Sequence, residues 1–129
     1  MYRPWLPTIA AFILLMGVPT GCSTPSTADS PPGMRYSQGS LLAVEPAPMD
    51  KVWRASRAAL SSLDITELEA QGSTLAAYID GRTPDLKKVS VKMRPLSGTK
   101  TELKIRIGTF GDESLARLIY EKIQIALAP

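Results

Sequence analysis

Histidine is absent from the 129 residues, and cysteine occurs once. The first absence removes the commonest general base, the commonest metal ligand and the usual near-neutral titrating group. The second excludes a disulfide within the chain and any cluster of thiolate metal ligands. Aromatic residues make up only 6% of the chain, too few to interleave with basic residues as stacking platforms for bases. Neither sign of charge dominates. Fifteen Lys and Arg stand against 12 Asp and Glu, a net charge of +3, and so weak an excess does not call for a nucleic-acid partner. A long apolar run is also missing. The run at residues 9–18 is shorter than the roughly 20 apolar residues that span a bilayer as a helix.

What is present begins with Cys22. Arg3 and the amino terminus make a small cationic start, the apolar run follows, and Pro19-Thr20-Gly21 leads into the cysteine. A charged start, a short apolar stretch and a small residue before the cleavage point are the parts of a secretory signal. A thiol directly after that point accepts a diacylglyceryl group. Residues 1–21 are therefore expected to be a lipoprotein signal peptide, with Cys22 as the lipid attachment. Acylation would also remove the liability of an unpaired, exposed thiol in an exported protein. Pro19 departs from the usual pattern, which has an aliphatic residue there. Loss of residues 1–21 takes only Arg3 from the charge count, so +3 becomes +2. Residues 22–34 are rich in Pro, Ser and Thr, and read as the lipidated cysteine followed by a disordered tether. Residues 35–129 are expected to form one domain. The expected location is the cell envelope, lipid-anchored and facing the periplasm. Ser23, in place of aspartate, favours the outer membrane under the enterobacterial sorting rule.

Within the domain, residues 39–44 read as a strand closed by Pro46 and Pro48. Residues 49–63 predict a helix whose stripe is Met49, Val52, Trp53, Leu60 and Leu63. Trp53 is expected to anchor the core. Residues 65–70 and 75–82 predict two strands, with Leu75, Ala77 and Ile79 on one face, and Thr83-Pro84-Asp85-Leu86 suits a type I turn. Val89, Val91 and Met93 alternate with polar residues, as do Leu103, Ile105 and Ile107. Joined through Gly98, these two strands predict a hairpin with one buried and one wet face. Residues 112–128 predict a final helix with Leu115, Leu118, Ile119, Ile123 and Leu127 in its stripe. The expected fold class is α+β: an antiparallel sheet of about four to five strands with two helices packed on one face.

Asp50-Lys51-Val52-Trp53, then Ala59-Leu60, then Ile105-Arg106-Ile107-Gly108-Thr109-Phe110-Gly111-Asp112-Glu113 resemble a family of small bacterial lipoproteins described as domain of unknown function 3568. The likeness covers about residues 40–127, and its most specific part is Gly-Thr-Phe-Gly-Asp-Glu. It implies an N-terminal lipoprotein signal and assigns no activity. The chain departs from the family at Leu86, where many members carry glycine, and in its Pro/Ser/Thr tether.

Two groups of residues invite a site. In residues 108–113, Gly108 suits a bend, Gly111 a positive φ, Asp112 a helix cap, Glu113 the first turn, and Phe110 a plug in the core. Their expected role is structural. The wet face of the hairpin carries Lys92, Arg94, Lys104 and Arg106, with Lys87, Lys88 and Lys100 nearby and Glu102 as the local acid. A loop centred near Gly98 sets Arg94 opposite Glu102 and Lys92 opposite Lys104. Lys92, Lys104 and Arg106 are the candidate contacts for an envelope protein or an anionic lipid or glycan, against the alternative of a merely solvated face. No set of residues forms a catalytic or metal-binding motif, and no cofactor or nucleic acid is expected. The functional expectation is a non-enzymatic interaction or scaffold module. The alternative is a small-ligand carrier or hydrolase with a pocket between helix and sheet.

Overall fold

A computed structural model describes residues 33–129. The expected signal peptide, Cys22 and nearly all of the expected tether lie outside the described residues. The chain forms β1 (Met34–Ser37), β2 (Ser40–Glu45), α1 (Met49–Ser62), β3 (Thr66–Gly72), β4 (Ala77–Arg82), β5 (Lys88–Ser97), β6 (Lys100–Ile107) and α2 (Glu113–Leu127). The fold is α+β. Its one sheet has six strands in the order β1-β2-β6-β5-β4-β3, and every neighbouring pair is antiparallel.

The expected four to five strands become six because of β1. Only Met34 is buried and Tyr36 half-buried in this short edge strand, too few inward residues to declare a period of two. Met34, expected in the tether, opens it. Strands β2, β4, β5 and β6 follow alternation, whereas the edge strand β3 is exposed except for the half-buried Ala70. Leu41 and Ala43, Leu103, Ile105 and Ile107, Val89, Val91 and Met93, and Ala77 and Ile79 are all buried. The register places Leu41 opposite Ile105, Ile105 opposite Val91 and Val91 opposite Ile79, so these residues share one face. They form a single cluster with Val52, Ala55, Ala59 and Leu60 of α1 and Ala116, Ile119, Tyr120 and Ile123 of α2. A fully buried aliphatic side chain of this kind contributes about 1.5–3 kcal/mol.

Three expectations about the apolar residues are corrected. Trp53 is half-buried rather than a central anchor. It sits at the rim of the core, with Arg57 over its ring at 5.9 Å. Leu75 is 78% exposed, because it lies in the turn before β4 rather than in the strand. Phe110 does not plug the core and is 92% exposed.

Local signals explain the ends of the helices. The C-terminus of α1 closes with Ile65 N–H donating to Leu60 O and Asp64 N–H donating to Ser61 O, while Asp64 takes a left-handed φ of 57°. This double bond pattern and the buried Leu60–Ile65 pair make a Schellman ending. At the start of α2, the Asp112 side chain accepts the Leu115 N–H, and Glu113 occupies the first turn, as the cap reading expected.

Candidate anion-binding face

The face of the sheet opposite the buried cluster carries the charge. Its rows follow from strand register. Lys92 stands opposite Lys104 and Arg94 opposite Glu102, because a register shift between Pro95 and Ser97 offsets the pairing that the two-residue Gly98-Thr99 loop begins. Arg94 Nη2 lies 3.1 Å from Glu102 Oε2, so that row is paired. Lys88 Nζ lies 4.0 Å from Asp80. Lys92 and Lys104 are both exposed, and their side-chain ammonium groups have no hydrogen bond or ion pair among the described residues. Like charges directly opposite each other weaken a sheet.

A concavity of ≈ 590 Å³ opens beside this pair. Its walls carry Arg82, Lys87, Lys88, Lys92, Lys104 and Arg106, and no carboxylate residue lines it. Cations from three adjacent strands thus converge there, and of these only Lys88, with Asp80, and Lys87 of the preceding turn, with Asp112, have an acid close by. A second concavity, of ≈ 610 Å³, shares Lys92 and Lys104 and runs past Tyr78, Gly72 and Ala76.

Arg106 has a structural role that the sequence did not suggest. Its guanidinium donates to Gln38 O at 2.9 Å and to Thr109 O at 2.6 Å. It ties the β1–β2 turn to the loop after β6. Its positive charge still faces the concavity, but the side chain is committed to backbone carbonyls. Gly108 and Gly111 adopt positive φ values of 66° and 89°, so both serve the loop's shape.

Two loops form one end of the concavity, and both are tightly held. In the β4–β5 turn, Leu86 N–H donates to Thr83 O at 2.9 Å. Lys87 N–H donates to Thr83 Oγ1 at 2.9 Å, and Arg82 donates to Leu86 O at 3.0 Å. In the β6–α2 loop, Gly108 N–H donates to Lys88 O at 2.7 Å, and Lys87 Nζ reaches Asp112 at 3.2 Å. That last contact, first by hydrogen bonding and then by charge, raises the pKa of Lys87. The Asp112 carboxyl is held below its ordinary value, first by the Leu115 N–H and then by Lys87.

Leu86 sits at φ 67° with its side chain 72% exposed. A left-handed conformation costs a β-carbon-bearing residue roughly 1–2 kcal/mol. Leu86→Gly is therefore expected to stabilise the fold by about 1 kcal/mol, read as a higher midpoint in urea. An unchanged or lower midpoint would show that the turn is relaxed with leucine in place.

Arg82 was not among the expected contacts. It shares the outward side of β4 with Tyr78 and Asp80, and alternation would have found it had the β4–β5 register been known. Among the described residues no group of Asp, Glu, His or Cys is arranged to hold a metal ion.

The family model described as protein of unknown function (DUF3568) matches residues 6–126. The chain belongs to this family. No curated protein matched the chain in a sequence search. The matched span takes in α1, α2 but for its last residue, the sheet and every residue of the basic concavity. Family membership therefore covers the whole candidate site without naming what it binds.

Proposed function

We propose that this DUF3568 member is a lipid-anchored envelope module, facing the periplasm from the outer membrane, that engages an anionic partner through the exposed sheet face. In this reading Cys22 carries the lipid, both helices shield the inner face, and the sheet's outer face does the binding. No enzymatic step is assigned. The observation that carries the reading is the opposed Lys92–Lys104 pair beside a concavity walled by six cationic residues. Exposed like charges raise the local potential and steer an anion towards them, with a strength that salt reduces. The alternative, a carrier or hydrolase with a pocket between helix and sheet, has less support. Leu41, Ile79, Val91, Leu103, Ile105, Ile119 and Ile123 fill that region with 0% exposure.

The test is crosslinking in intact envelopes followed by recovery of the full chain. Lys92→Glu/Lys104→Glu is the variant to use, because Arg106 holds two loops together and its loss would confuse binding with folding. The pair is exposed, so stability should change by no more than about 0.5 kcal/mol. Wild type should enrich a partner that the double variant loses at least tenfold. Equal recovery would mean that the face is only solvated. Recovery of a bound metabolite alone would favour the carrier.

A further inference from the structure

The concavity and the two exposed apolar side chains lie at the same end of the sheet. Leu86 sits on the β4–β5 turn, and the turn contributes Leu86, Lys87 and Lys88 to the concavity. Phe110 sits on the β6–α2 loop, which contributes Gly108 and Thr109. Each loop thus holds one large apolar side chain in water, 72% exposed for Leu86 and 92% for Phe110. Neither exposure comes from a slack loop. Arg106 holds Thr109 O, Gly108 N–H is bound to Lys88 O, and Arg82 and Thr83 hold the turn around Leu86. Collapse onto the core would require breaking these bonds.

An apolar pair next to a cationic wall matches a particular kind of surface. The headgroup region of an anionic bilayer presents phosphates above acyl chains. Aromatic and aliphatic side chains gain free energy by entering the acyl boundary, while lysine and arginine stay at the level of the phosphates. A soluble anion would satisfy the cations but leave Phe110 and Leu86 in water. An acidic protein would need an apolar cleft of its own to cover them.

We infer that this end of the sheet docks on an anionic phospholipid surface, with a phosphate headgroup in the cationic concavity and Phe110 and Leu86 in the acyl boundary. The inference rests on the reading of the basic face as the contact surface, and it names the partner as lipid. It goes beyond the Cys22 anchor, because it orients the folded domain on a membrane rather than merely tethering it.

The experiment uses the full chain reconstituted in phosphatidylcholine vesicles, with or without phosphatidylglycerol. Because every variant keeps the same N-terminus, attachment itself is constant. Phe110→Trp places a reporter at the tip, read as its difference from wild type. In vesicles containing phosphatidylglycerol its emission should shift to the blue and be quenched by brominated acyl chains. High salt or Lys92→Glu/Lys104→Glu should reverse both effects. Adding Leu86→Gly, which relieves backbone strain, should weaken the association roughly tenfold, as loss of a partly inserted leucine does. The same emission with and without phosphatidylglycerol would overturn the lipid assignment. If envelope crosslinking then still yields a lysine-dependent protein, the basic-face reading survives with a protein partner. Silence in both experiments removes both.

Discussion

Gly111→Ala is expected to destabilise the protein by about 3–5 kcal/mol, adding the strain of a left-handed residue to the strain of overpacking. Gly111 has φ 89°, a region that a β-carbon makes unfavourable. The space is closed as well. A Cβ built there would lie 2.6 Å from both Gly39 Cα and Gly39 O, and would also strike the Tyr36 hydroxyl. The first two are backbone atoms, which cannot rotate away. Gly39 is constrained in return, since its own Cβ would meet Phe110 O at 2.8 Å. The β1–β2 turn and the β6–α2 loop therefore touch through two glycines. Two comparisons separate the causes. Gly108 has φ 66° but nothing within 4 Å of its Cβ position, so Gly108→Ala should cost only about 1–2 kcal/mol. Gly98 has open space and no positive φ, so Gly98→Ala should be nearly neutral. Urea midpoints for the three variants should follow that order. If Gly111→Ala unfolds with Gly98→Ala, the contact between the two loops has been misplaced.

The parts of the fold that sequence revealed were those with a strong period and a short connection. The β5–β6 hairpin is the clearest case. Three apolar residues alternate on each strand, and counting outward from Gly98 pairs Lys92 with Lys104; the loop is in fact Gly98-Thr99 alone, and the register shift between Pro95 and Ser97 restores that pairing. Both helices were legible for the same reason, although their stripes were drawn slightly wrong. Leu118 is exposed while Ala116 and Tyr120 are buried, so the buried face of α2 is turned from the one that hydrophobicity alone suggests. β1 escaped notice because an edge strand of four residues carries only two inward positions. The candidate site was half visible. Lys92 and Lys104 belong to one hairpin, but the concavity also needs Arg82 from β4, whose pairing with β5 depends on a longer turn. Arg106 could not be recognised as a clamp, since Gln38 is 68 positions away in the chain. Phe110 was misread because an apolar residue between two glycines gives no indication of which way its loop faces.

Glu45 left no trace in the sequence patterns, yet Glu45→Ala is expected to cost about 3–5 kcal/mol, combining lost hydrogen bonds with an unfilled space. The side chain ends β2 at 2% exposure, on the buried side of the sheet. Gln124 Nε2 of α2 donates to its Oε1 at 2.6 Å. The Tyr120 phenol stands against the same carboxylate. Burial first, then the hydrogen bond and negative charge of Glu45, push the Tyr120 pKa well above its ordinary value. Glu45 thus binds the last turns of α2 to the sheet, where aliphatic contacts alone would allow the helix to slide. Alanine would leave a cavity and the buried Tyr120 hydroxyl without its acceptor, while the exposed Gln124 amide would turn to water. Glu45→Gln keeps the volume and one acceptor oxygen, and should cost less than half as much. Coupling should appear in a double-mutant cycle with Tyr120→Phe, at about 0.5–3 kcal/mol for side chains in contact. The tyrosine adds a pH signature of definite sign. Its folded pKa lies above the unfolded value of 10.0, so the unfolded chain releases its phenolic proton first. The neutral phenol's contribution is complete below pH 10 and declines as pH rises beyond it. Tyr120→Phe should remove that part of the alkaline decline, seen as a smaller difference between denaturation midpoints at pH 9 and pH 11 than in wild type. If Glu45→Ala and Tyr120→Phe are additive and the alkaline slope is unchanged, the two side chains act independently, and α2 is held by its apolar stripe alone.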